Sequence, residues 1–222
     1  MLKQMTDQPG ADEQTTALKR RIGSLRAGFE TARTAAEDGT FRTHGVPYHA
    51  IAESAEALHA KLAESFPEAA DLPKDSGALM AAIGISTREH AALRERYLTE
   101  QALRDADQIL KMRAYQPEDF PHGRCPPPQP CAPDMAVMHL DLMAQRFEAL
   151  GLASFEAGLE HIGVSAQDLY AAALDQMTEH PSQMDLFIQG LNERLGVSAG
   201  AAHAAAHSGR AHHPAYLAAL EA

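Results

Sequence analysis

Gly158-Leu-Glu-His-Ile-Gly-Val-Ser-Ala-Gln-Asp-Leu-Tyr170 contains a punctuation that this chain writes three times. Its core, Ile162-Gly163-Val164-Ser165, has counterparts in Ile83-Gly84-Ile85-Ser86 and Leu195-Gly196-Val197-Ser198. Each reads as a helix ending at a glycine, with a serine two residues later opening the next helix. Glycine enters the left-handed conformation past a helix end at little cost. A serine hydroxyl accepts from the free N–H groups of the turn that follows. The three joints therefore predict helices linked by very short turns.

Composition agrees with that reading. The 222 residues include 23 leucines against 11 valines plus isoleucines, and 43 alanines. Leucine and alanine favour helix, whereas β-branched residues favour strand. No stretch alternates with period two between hairpin signals. The chain is expected to be all-α, a bundle of seven to nine helices.

Outward from the joints, apolar spacing marks each helix. Leu18, Ile22, Leu25, Phe29 and Ala32 form one stripe, which predicts a helix over Asp12–Asp38 that stops at Gly39. A second helix is expected from near Pro47 to just before Pro67, with Ile51, Ala55, Leu58 and Leu62 inward. A short helix over Gly77–Ile83 leads to Gly84. Ser86 and Glu89 form a capping box before the longest helix, expected to end near Arg113. Asp134 caps the next helix. Further helices are expected over Ser154–Ile162, Ser165–Met177, Ser182–Leu195 and Pro214–Leu220, with Pro181 as a separator.

Residues 115–133 break the pattern with a crowd of prolines, which forbid helix and favour turns or polyproline II. The segment divides a helical part, 12–113, from a second one, 134–222, unless it drapes over one continuous domain. Charge changes at the same place. Residues 1–124 hold 16 Lys/Arg against 19 Asp/Glu, a balance of −3; residues 125–222 hold three arginines against 11 acids, a balance of −8. Such a surface repels phosphate and suits a neutral or basic partner. No apolar run reaches the roughly 20 residues of a membrane span, and the polar start Met1–Gly10 has no signal core, so a cytoplasmic location is expected.

Several residue groups are candidates for chemistry. The segment Gly158–Tyr170 resembles the turn of helix-turn-helix DNA-binding regulators, whose second helix enters the major groove. Here that helix would carry Asp168 and Asp175 and no cation, which argues against DNA. His49, Glu53, Glu56 and His59 share one face if residues 49–59 form a single helix. Glu56-Ala-Leu-His59 is a Glu-x-x-His motif of the kind used by di-iron bundles, but the chain has no second copy. His122, Cys125 and Cys131, with His139 one turn into the next helix, offer imidazole and thiolate ligands for zinc, at a Cys-x5-Cys spacing wider than usual. His203 and His207 stand one helical turn apart in an alanine-rich tail. No cofactor is expected from these patterns, with zinc or iron as the alternative. No phosphate loop, nucleophile elbow or dinucleotide fingerprint appears, which lowers the expectation of an enzyme.

Met135, Met138 and Met143 line the helix after Asp134, with Leu142 and Leu150. A methionine surface adapts to several partners, whereas the shared stripe with Leu142 and Leu150 favours core filling for the same residues. The segment Pro133-Asp-Met-Ala-Val-Met-His-Leu-Asp-Leu-Met143 resembles the Pro-x-Asp-His segment of the TorD/DmsD chaperones, with Met135 where that family has its histidine. The resemblance implies an all-helical cytoplasmic protein that binds signal peptides and apo molybdenum oxidoreductases. It also implies that Asp134 and the following helix border the peptide groove.

The reading that follows is a cytoplasmic helical adaptor or chaperone-like protein, binding a protein or peptide partner through Asp134, Met135, Met138 and Met143. The alternatives are a helical-bundle metalloprotein or metalloenzyme and, against the charge, a helix-turn-helix regulator. An oligomer is compatible with each.

Overall fold

A computed structural model describes residues 10–41, 49–110, 135–176 and 181–196. Among the described residues there are nine α-helices and no strand. The all-α expectation holds. The chain forms two compact units, residues 1–97 and 98–222, with the boundary inside one long helix between Tyr97 and Leu98.

The first unit contains α1 (Ala11–Glu37), α2 (His49–Ala52), α3 (Ala55–Ser65), α4 (Ser76–Ile83) and the start of α5 (Thr87–Leu110). The α1 stripe buries Leu18, Leu25, Phe29 and Ala32, and the helix ends before Gly39 at φ 67°. The single helix expected between Pro47 and Pro67 is two helices. Ser54 takes an extended conformation and its hydroxyl accepts from the Ala57 N–H at 3.1 Å, starting α3 afresh. A serine cap competes with helix continuation because its side chain replaces the missing backbone acceptor. Ile51, Ala55, Leu58 and Leu62 are nevertheless all buried, so the stripe survives the break.

Two arginines tie the unit together through backbone carbonyls. Arg26 of α1 donates to the Ile83 and Ala82 carbonyls at the end of α4. Those carbonyls have no intrahelical partner, and a cation there also meets the negative end of the helix dipole. Arg94 of α5 donates to the Ala52 carbonyl at 2.8 Å, at the end of α2. Gly84 closes α4 at φ 89°, and the Ser86 hydroxyl accepts from the Glu89 N–H at 3.1 Å. The expected box is half used: the Glu89 carboxylate pairs with Arg33 of α1 at 2.8 Å.

The second unit contains the rest of α5, then α6 (Ala136–Ala149), α7 (Phe155–Ile162), α8 (Ala166–Gln176) and α9 (Pro181–Leu195). Its core gathers Ala102, Ala106 and Ile109 of α5 with Leu140, Phe147, Leu159, Leu169, Tyr170, Phe187 and Leu191. The α7–α8 joint is built as expected: Gly163 sits at φ 69° and the Ser165 hydroxyl accepts from the Asp168 N–H at 3.1 Å. Pro181 is the first residue of α9 rather than a separator. The first helical position suits proline, whose absent N–H would have no partner there. Gly196 takes φ 69° after α9, while Ser198 and the helix expected over Pro214–Leu220 lie outside the described residues. So do Asp134 and the proline-rich segment 115–133.

Candidate functional site

α6 is apolar on two faces. Its inner face carries Ala136, Leu140, Met143 and Phe147, all buried. Phe147 packs edge-on against Phe155 of α7 at a centroid separation of 5.3 Å. Its ring lies where a Cβ on Gly158 would stand, 2.2 Å from Phe147 Cδ2, so only glycine lets α7 approach this closely. The outer face carries Met135, Met138, Leu142 and Ala149, which fall within about 60° of one another at 100° per residue. Met135 is 39% exposed and Met138 42% exposed, and Leu142 is half-buried. Outside this outer face, Leu186 of α9 is the remaining large exposed apolar side chain among the described residues.

Of the residues expected to hold a partner, Met135 and Met138 are therefore at the surface. Met143 is not: it is fully buried in the core beneath α6 and has no surface to offer. The reason is phase. Met143 lies three residues from Leu140 and four from Phe147, on the inner face, whereas Met138 stands about 160° away from Leu140. Asp134 lies outside the described residues.

Between the two faces of α6 runs a part-buried ionic cluster, built on a buried carboxylate, that the sequence reading missed. Asp105 of α5 is 5% exposed. One of its carboxylate oxygens accepts from His139 Nδ1 at 2.9 Å, and the other pairs with Arg146. His139 and Arg146 stand two helical turns apart on α6, so both reach the same carboxylate. Burial, followed by the positive charge of Arg104, holds His139 below the ordinary histidine range. The bond to Asp105 requires the proton on Nδ1 in the neutral ring. A visible signal existed: Asp105 interrupts the Ala102, Ala106 and Ile109 face, and an acid amid an inward stripe needs a buried cation.

The break at Ser54 divides the candidate metal face at 49–59 between α2 and α3. Glu53 pairs with Lys61. The Glu56 carboxylate takes the Ser76 hydroxyl at 3.3 Å and lies below the usual carboxylate range, chiefly through a hydrogen bond from its own backbone N–H. His59 Nε2 lies 2.7 Å from the Pro73 carbonyl. Among the described residues no group of three or more His, Cys, Asp or Glu side chains is placed to hold a metal. His122, Cys125, Cys131, His203 and His207 lie outside them.

A fully buried histidine sits in the first unit. His90 of α5 is 2% exposed, its ring edge-on to Phe29 at 5.3 Å, and its Nε2 has no hydrogen-bond partner. Burial, then the nearby Arg94 charge, lower its basicity against a smaller opposing pull from Glu56.

No known family profile, no curated protein and no solved structure matches the chain. No helix among the described residues is long and apolar enough to cross a membrane.

Proposed function

We propose that the chain is a cytoplasmic helical adaptor or chaperone-like protein whose second unit holds a protein or peptide partner on the outer face of α6. The observation that carries this reading is the exposure of Met135 and Met138 on a helix whose opposite face is already committed to the core. A helix that is apolar on two sides has one side in excess of what its own fold needs. Clustered exposed apolar side chains mark interaction surfaces more often than scattered ones do. Methionine suits such a face because its unbranched, polarizable side chain repacks around different shapes. The acidic balance of residues 125–222 disfavours nucleic acid as the partner.

Site-specific photo-crosslinking in cells of the source organism tests the reading. A photoreactive residue at position 138 is expected to give a discrete protein adduct, and the same residue at exposed Gln167 of α8 is expected to give none. Adducts at neither position, or equal adducts at both, remove the α6 face as a partner site.

A further inference from the structure

The outer face of α6 narrows the class of partner, on the reading that this face is a docking site. We propose that its occupant is a basic amphipathic helix of another protein. Two observations lead there. The first is backbone geometry: among the described residues there is no strand. An extended peptide would find no sheet edge to extend and would leave its own N–H and C=O groups without partners at an apolar contact. A helix satisfies its backbone internally and presents side chains at three- and four-residue spacing. That spacing matches Met135, Met138 and Leu142.

The second observation is charge. From residue 125 onward the chain holds three arginines against 11 acids. Arg146 is turned onto Asp105 and Arg194 of α9 onto Asp141, so both are already matched by carboxylates. Arg210 lies outside the described residues. Beyond the paired Asp141, exposed Glu148 stands on α6 itself, with Glu156 and Glu160 on α7, and Arg104 of α5 is a cation on the His139 side. An approaching helix therefore meets an apolar ridge within a negative field. Lysines and arginines beside its apolar stripe accelerate encounter and fix register, whereas acids oppose both. A second copy of this chain carries the same excess of acid and is disfavoured for that reason.

The test is fluorescence anisotropy with designed peptides of about 18 residues, some five helical turns. One has leucine at positions i, i+3, i+4 and i+7 with lysine on the polar face; a second replaces every lysine with glutamate; a third scrambles the lysine peptide. The lysine peptide is expected to bind, and the other two at least about tenfold more weakly. Its affinity should fall as salt rises. The double variant M135Q/M138Q, whose side chains are already exposed, should weaken the lysine peptide about tenfold with unchanged circular dichroism. Equal binding of the glutamate peptide overturns the basic preference while leaving α6 a docking face. Binding of the lysine peptide that ignores M135Q/M138Q overturns the placement on α6. Self-association of the protein that M135Q/M138Q abolishes makes the occupant a second copy and overturns the proposal. If no peptide binds and position 138 gives no adduct in cells, the docking reading itself fails.

Discussion

Each unit holds, among its described residues, one histidine whose basicity is lowered by burial, His90 on α5 and His139 on α6, and the two are treated in opposite ways. In the first unit His90 is packed against Phe29 with Nε2 unpartnered. In the second His139 donates to Asp105, whose other oxygen holds Arg146. The first unit joins its helices from the surface, by arginines reaching backbone carbonyls at helix ends. The second joins α5 to α6 by charge placed inside the core. A surface contact can be lost at modest cost because water replaces it, whereas a buried charge left alone has no substitute. The second unit should therefore respond more sharply to single polar substitutions.

The largest expected effect breaks that cluster. Asp105→Ala removes the buried carboxylate shared by His139 and Arg146 and should destabilise the second unit by about 3 kcal/mol. Hydrogen exchange resolved by peptide should show the loss in residues 135–196; equal loss in residues 11–65 would contradict the comparison. Next is packing. Gly158→Ala drives a methyl group into the Phe147 ring and should cost about 2 kcal/mol, read as a lower unfolding midpoint in urea. An unchanged midpoint would mean that α7 shifts freely on α6.

A smaller effect belongs to the first unit. Ser54→Ala removes the α3 cap and should cost about 1 kcal/mol. Because the α2–α3 break rests on this serine, the variant should also gain helix at residues 53–54, visible in backbone chemical shifts. The smallest effect is the response to acid. His90 and His139 are both less basic in the folded chain than in the unfolded one. The unfolded chain therefore binds protons first as pH falls below about 6.5, and stability declines from there down to the lowered folded values. Above that window the contribution is complete. His90→Leu should flatten the decline in the first unit without touching the second, since the unpartnered Nε2 contributes no hydrogen bond to lose. Thermal unfolding at pH 7.5 and 5.5 checks this, and an unaltered slope would remove His90 as a source.

Much of the architecture was legible in local chemistry. Gly84, Gly163 and Gly196 all take the left-handed conformation, and the serines that follow Gly84 and Gly163 cap the next helix. These events depend on residues within one turn of each other, so the sequence contains their causes. The division at Ser54 was equally local, yet the continuous Ile51–Leu62 stripe masked it, because periodicity reports burial and not helix continuity. The reading of 49–59 as one face likewise assumed a single helical phase, which the break at Ser54 interrupts.

By itself the sequence determined the all-α class, the short joints, the α1 stripe and the acidic balance of the second half. Each follows from propensity, capping or charge, which act at short range or by simple summation. Tertiary structure alone decided which methionines of α6 are free. Met138 and Met143 are chemically the same and five residues apart, and only the packing of α7 and α9 makes one face core and the other surface. It also decided that Asp105, His139 and Arg146 meet, because Asp105 and His139 are 34 positions apart with no local signal that joins them.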